Sequence, residues 1–228
     1  MSAELEFALE LADAADAISL TRFGASDLRV ERKPDLTPVS DADRAIEQAL
    51  RSMAGDDGFF GEEFGGPEDG VRWIVDPIDG TKNFVRGIPV WATLIALADD
   101  DELVVGVVSA PALGRRWWAA RGEGAYANGA PIRVSGVADL ADAAVSAALA
   151  SDLAALEDVA WHTRALGDFW QHVLVAEGAL DAAIDYPLKL WDYAALVPIV
   201  EEAGGRTGFA ADGQFVSSNG LIHDKIAR

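Results

Sequence analysis

Trp73-Ile74-Val75-Asp76-Pro77-Ile78-Asp79-Gly80-Thr81-Lys82-Asn83-Phe84 is the stretch on which the reading of this chain turns. The apolar run Trp73 to Val75 reads as a buried strand that leads into two carboxylates, Asp76 and Asp79, held by Pro77 and Gly80. Asp-Pro and Asp-Gly are ordinary turn dipeptides, so turn chemistry accounts for part of the pattern. A second reading goes further. Acidic side chains at a strand end offer the hard oxygen ligands that divalent cations take. Gly80 and the amides around Thr81 would open a helix, and a helix N-terminus attracts an anion such as phosphate. A lone pair of aspartates at this spacing is common, whereas the whole DPIDGT string behind an apolar strand is rare.

Three further segments bear on the choice. In Phe60-Gly61-Glu62-Glu63-Phe64, Glu62 is a candidate ligand, because a cation cluster needs more anionic oxygen than two aspartates supply. Glu63 reads as a solvated loop residue. In Leu190-Trp191-Asp192-Tyr193-Ala194-Ala195, Asp192 precedes the apolar positions Ala194, Leu196, Val197, Ile199 and Val200, a run that stops at Gly204-Gly205. It reads as a helix N-cap, and a carboxylate that caps with one oxygen keeps the other for a cation. In Lys33 to Asp43, Ser40 and Asp43 have capping-box spacing, with Asp in place of the usual Glu or Gln. Capping explains these residues, and Asp43 is also a candidate to hold a water beside a cation.

Taken in order, these segments resemble the inositol monophosphatase family of magnesium-dependent phosphatases. The resemblance covers essentially the whole chain and includes Ala120 to Gly129 and Glu201-Glu-Ala-Gly-Gly205. Within the family, Thr81 to Ala92, Ser109 to Trp118 and Gly167-Asp168-Phe169 look most like the histidinol-phosphatase branch. The resemblance implies an α+β fold, the layered αβαβα sandwich of the inositol monophosphatase / fructose-bisphosphatase type. It implies metal ligation by Glu62, Asp76, Asp79, Asp192 and the carbonyl of Ile78, with two or three Mg2+ ions and Mn2+ as a substitute. Thr81, Asp43 and Glu62 match the catalytic set that handles the attacking water; Asp79, Gly80 and Thr81 match the phosphate site. Arg164, Asp168 and Asp185 match pocket positions that meet the rest of the substrate. The implied activity is hydrolysis of L-histidinol phosphate, in histidine biosynthesis, by a homodimer.

Carboxylates suit the ammonium and imidazole of histidinol phosphate, yet they also bind sugar hydroxyls, so an inositol or sugar phosphate stays open as substrate. Asp168 as the start of a helix and Asp185 as the end of a strand are equally good local readings. Lys82 and Arg86 either tune the branch preference or stabilise the surface. A non-catalytic binding relative would betray itself by loss of a ligand or of Thr81, and every one is present.

The remaining sequence is consistent with such an enzyme. At 228 residues, half of them hydrophobic, the chain can bury a core as one unit, with candidate halves 1–136 and 137–228. It has no cysteine, which excludes disulfides and a thiol nucleophile. No leader or membrane-length apolar run is visible, so a cytoplasmic protein without a membrane partner is expected. A net charge of −20 argues against nucleic acid as a partner. The same charge would repel a phosphate unless bound cations invert the local field.

Periodicity predicts helices over Leu5 to Arg22, Asp41 to Met53, Gly167 to Glu177 and after Asp192. It predicts strands over Val71 to Val75, Thr93 to Ala98, Leu103 to Ser109, Arg116 to Ala120 and Leu180 to Asp185, and near Arg206 and Leu221. Leu153 to Val159 has no clear assignment. His162, His172 and His223 are not spaced as a metal triad and read as structural or surface residues. Trp117-Trp118 reads as packing, and glycines 122, 124 and 129 do not form a dinucleotide loop.

Overall fold

The computed structural model describes residues 1–34, 36–55, 58–186 and 188–227. Leu5, Ala8, Ala12, Ala15 and Ser19 recur at helical spacing and are buried, giving one interior face to α1 (Ala3–Arg22). Leu9 and Ile18 are only half-buried, and Leu11 takes an interior position. β1 (Val30–Arg32) pairs antiparallel with β2 (Pro38–Ser40), and Ser40 then caps α2 (Asp41–Ala54).

The larger sheet runs in the order β3 (Gly58–Gly61), β4 (Arg72–Asp79), β5 (Ala92–Asp99), β6 (Glu102–Ala110), β7 (Arg115–Ala120), β8 (Gly124–Ala127), β9 (Ala130–Pro131). A short helix, α3 (Thr81–Arg86), separates β4 from β5. Beyond it come β10 (Ala144–Ala147), α4 (Ala150–Glu157), β11 (His162–Arg164), α5 (Asp168–Ala176) and β12 (Ala182–Asp185). The chain ends with α6 (Leu190–Tyr193), α7 (Leu196–Glu202), β13 (Arg206–Phe209), β14 (Phe215–Ser218) and α8 (His223–Ile226). The smaller sheet has the order β11-β10-β12-β14-β13, parallel across the first three strands and antiparallel thereafter.

These elements stack as α, β, α, β, α. α1 and α2 cover one face of the larger sheet, with Ile46, Leu50, Trp73, Ile95 and Trp91 in the core between them. α5 and α7 fill the space between the sheets, where Trp117, Phe169, Val173 and Ile199 are buried. α4 and α8 lie against the smaller sheet, over a core that includes Val145, Ile184 and Ile222. The layered sandwich expected from the sequence is the observed architecture.

Several local expectations need correction. The strand expected over Val71 to Val75 extends to Asp79, so both aspartates belong to β4 itself. Between Asp76 and Asp79 the pairing with β5 slips, three steps along one strand facing two along the other (Leu94 to Ala92). Pro77 has no N–H for the ladder, which confines it to such a bulge. The last strand lies at Phe215–Ser218; Leu221 falls in the turn that leads to α8. Asp192 is the third residue of α6 and so not an N-cap. Pro198 cannot donate to the carbonyl four residues back, which fits the break between α6 and α7.

Gly106, in the middle of β6, lets α6 and α7 approach the sheet. A Cβ there would stand 2.2 Å from the carbonyl oxygen of Ala195, a backbone atom with nowhere to go. Gly106→Ala is therefore expected to cost about 2 kcal/mol or more in denaturant unfolding, the scale of overpacking a tight core. Stability equal to the parent protein would show that this approach is loose.

Candidate active site

Hydrogen bonds from the bulged strand build the first part of the site. Asp76 is buried, and its Oδ1 accepts from the amide of Ile78 at 2.9 Å. Thr93 Oγ1 donates to the carbonyl of Pro77 at 2.8 Å, fixing the bulge to β5. Thr81 Oγ1 donates to the carbonyl of Ile78 at 2.9 Å and stands 3.4 Å from Asp43 Oδ1. Gly80 carries a φ of 81°, in the left-handed region, and so makes the turn from β4 into α3 without strain. Phe84 anchors that helix edge-on against Trp91, with ring centroids 4.9 Å apart and both side chains buried.

Asp43 enters from α2. It closes the expected capping box, accepting from the Ser40 amide at 2.8 Å and the Ser40 hydroxyl at 2.6 Å through Oδ2. Burial pushes its pKa up to about 6 against those two bonds, and Glu63 and Glu62 push in the same direction.

Glu62 and Glu63 arrive on the turn after β3. The turn is held from beneath by Glu47, a fully buried carboxylate on α2. Glu47 accepts from the amides of Glu63 at 2.6 Å and Phe64 at 3.0 Å, and Arg51 donates to it at 3.0 Å. Gly61 sits so close above it that a Cβ would fall 2.1 Å from Glu47 Oε1. Lys33 Nζ lies 2.7 Å from Glu62 and 2.5 Å from Glu63. Glu63, expected to be a solvated loop residue, instead has a buried side chain in this ion pair. Glu47 and Lys33 belong to no motif, and the sequence signal for Glu47 is an acidic residue on the interior face of an amphipathic helix.

The second half supplies the rest. Asp79 Oδ2 accepts from the amide of Phe169 at 2.6 Å, so the end of the larger sheet caps the first turn of α5. Asp168, the first residue of α5, takes a φ of 51° and accepts from Asn83 Nδ2 at 3.3 Å. Asp192 Oδ2 accepts from the amide of Lys189 at 2.7 Å. Asp79, Asp168, Asp185 and Asp192 line one pocket together with His172 and Tyr186. Arg164 does not join them: it is exposed on the edge strand β11 and donates to its neighbour's carbonyl, Thr163 O, at 3.0 Å. A cleft of about 390 Å³ lies elsewhere, between the start of α1 and the ends of β5 to β7, away from these groups.

The carboxylates crowd each other electrostatically. Asp76 is raised well above the ordinary aspartate range by burial, then by Glu62, Asp79, Asp192 and Asp43. Asp79 is raised by burial, then by Asp168 and Asp192, against the Phe169 amide. Asp192 is pushed up to about 7, by burial first, with Glu62, Asp185 and Asp168 adding to it against the bond from Lys189. Among the described residues no three acidic or histidine side chains are arranged to ligate one ion as they stand. Glu62 is drawn onto Lys33 instead. Their all-oxygen chemistry and mutual repulsion nevertheless suit hard divalent cations, which relieve such crowding.

A carboxyl whose pKa is raised by folding binds its proton more tightly in the folded chain than in the unfolded one. The fold therefore gains stability as pH falls through that raised value. Chelator-treated protein is expected to melt higher at pH 6 than at pH 8. Asp192→Asn should shrink that rise by about 3 °C, on the usual relation between stability and melting temperature. An identical rise in the variant would remove Asp192 from the crowded set.

Comparison with known proteins agrees with this geometry. Residues 1–225 match the inositol monophosphatase family. A protein of Mycobacterium tuberculosis named histidinol-phosphatase is 52% identical, over 98% of this chain and 96% of its own. A Thermotoga maritima protein named fructose-1,6-bisphosphatase/inositol-1-monophosphatase is 34% identical, over 98% of this chain and 94% of its own. Among solved structures, the extragenic suppressor protein suhB from Bartonella henselae superposes with a TM-score of 0.91 at 28% identity, covering 100% of this chain and 98% of that one. With a match over nearly its whole length and relatives at 52% and 34% identity, the chain belongs to the inositol monophosphatase family.

Proposed function

We propose that this chain is a magnesium-dependent histidinol-phosphatase, which hydrolyses L-histidinol phosphate to L-histidinol and phosphate. The observation that carries the reading is the pocket of Asp79, Asp168, Asp185 and Asp192. Among the described residues no lysine or arginine makes an ion pair with any of the four. Such a site calls for cations from outside, and the ammonium and imidazolium of histidinol are suitable at Asp168 and Asp185. The 52% identity to a protein of that name, against 34% to a sugar and inositol phosphatase, supports the same choice.

In this reading Glu62, Asp76, Asp79, Asp192 and the Ile78 carbonyl would hold two or three ions, with Mn2+ as a substitute for Mg2+. Magnesium bound there would supply Lewis-acid charge at the phosphoryl oxygens and lower the pKa of water. Thr81 Oγ1 orients the attacking water and, on turning its own proton from the Ile78 carbonyl to Asp43 Oδ1, takes the water's proton in exchange. A carboxyl with a pKa of about 6 is suited to accept a proton near neutral pH. Glu62, once it leaves Lys33, helps to hold the water. Asp79, Gly80 and Thr81 cradle the phosphate. The first half of the chain, 1–136, brings the water and most of the ligands; the second, 137–228, brings Asp192 and the substrate side. Arg164, at the end of the edge strand β11, keeps a substrate role in this proposal only if that strand end moves towards the pocket. We further propose a cytoplasmic homodimer, on the strength of the family resemblance; no helix among the described residues is long and apolar enough to cross a membrane.

Phosphate release from histidinol phosphate and from inositol 1-phosphate in Mg2+ tests the assignment. At least tenfold higher kcat/KM on histidinol phosphate is expected, equivalent to about 1.4 kcal/mol in the transition state. Faster turnover of inositol phosphate would move the chain to the other branch. No release from any phosphomonoester with Mg2+ or Mn2+ would favour a non-catalytic relative.

A further inference from the structure

α5 is apolar on its packed side except for two adjacent polar residues, Gln171 and His172, and both are completely buried. Gln171 sits in a chain of directed hydrogen bonds. The amide of Leu166 donates to Ser146 Oγ at 3.2 Å, and Ser146 Oγ donates to Gln171 Oε1 at 2.8 Å. With its oxygen so engaged, the Gln171 amide has one orientation, and its Nε2 donates to Asp185 Oδ2 at 2.8 Å. On the other side His172 Nδ1 bonds Ser217 Oγ at 2.9 Å, which leaves Nε2 at 3.5 Å from the same Asp185 oxygen. Asp185 Oδ1 takes the amide of Tyr186 at 2.9 Å. Ser146, Gln171, His172, Asp185 and Ser217 are each at most 2% exposed.

This is an unusual amount of buried polarity for one strand end, and it serves no ladder or helix cap. A buried carboxylate held by uncharged donors is fixed in place without being neutralised by a lysine or arginine. Asp185 also lines the pocket that Asp79, Asp168 and Asp192 share. We propose that Gln171, with Ser146 behind it and His172 beside it, is a positioning residue that aims Asp185 at the cationic end of the substrate. The chain thereby selects phosphate monoesters that carry an ammonium or imidazolium group. This deepens the histidinol-phosphate reading and rests on it.

The test is Gln171→Leu, which keeps the volume and removes the donor, assayed with Mg2+ on histidinol phosphate and on p-nitrophenyl phosphate, which has no cation. The ratio of kcat/KM for the two substrates is expected to fall about tenfold or more, with the loss in KM for histidinol phosphate rather than in kcat, as removal of a hydrogen bond to a charged group predicts. Equal losses on both substrates, or an unchanged ratio, would overturn the proposal. Should Gln171→Leu fail to fold by circular dichroism, Ser146→Ala reads the same network with one hydroxyl removed. A ratio about threefold below the parent supports the proposal, and the parent's ratio contradicts it. A parent enzyme with no preference for histidinol phosphate would instead defeat the substrate assignment itself, before any variant is compared.

Discussion

The interaction on which the rest of the structure depends is repulsion between carboxylates that the fold brings together. Asp76 and Asp79 come from the end of one sheet, Asp192 from a helix some hundred residues later, and Glu62 from the turn after a neighbouring strand. Asp76, Asp79 and Asp192 gain no stability from one another in this arrangement, since burial and like charge both disfavour their ionised forms. The fold maintains an arrangement that becomes favourable only when positive charge arrives, and the surrounding structure must therefore be rigid enough to impose it.

That rigidity has identifiable sources. The proline bulge in β4 is tied to β5 through Thr93 and to α3 through Thr81. Glu47 holds the Glu62 turn by two backbone amides, in a space that only a glycine at 61 leaves open. Gly106 lets the Asp192 helix reach the sheet. Asp79 ties the end of the larger sheet to α5 through the oxygen that caps that helix. A change at any of these points alters the spacing of charges without touching a charge.

Much of this was legible in the sequence because the informative residues are contiguous. DPIDGT carries its own strand, bulge and helix start, and Ser40 with Asp43 carries its own capping box, so short-range rules sufficed. The less legible parts depend on partners distant in sequence. Glu63 reads as solvated until Lys33, thirty residues earlier, is found against it. Asp192 reads as an N-cap because a carboxylate before an apolar run is usually one; α6 begins two residues sooner and Asp192 caps from inside. Gln171 and His172 carried only a faint signal, two polar residues in an apolar helix, and their role follows from Ser146 and Asp185 on two different strands. The last strand lies earlier than Leu221 because Asn219 and Gly220 turn the chain after β14, which places the apolar pair Leu221 and Ile222 in that turn ahead of α8.

The central claim is that these separated acidic groups close around divalent cations. Anomalous diffraction from crystals soaked in Mn2+ and phosphate measures this most directly. The account predicts manganese peaks bounded by Asp76, Asp79, Asp192 and Glu62, with Glu62 withdrawn from Lys33. Soaked crystals with no peak among those oxygens, and Glu62 still paired to Lys33, would contradict it.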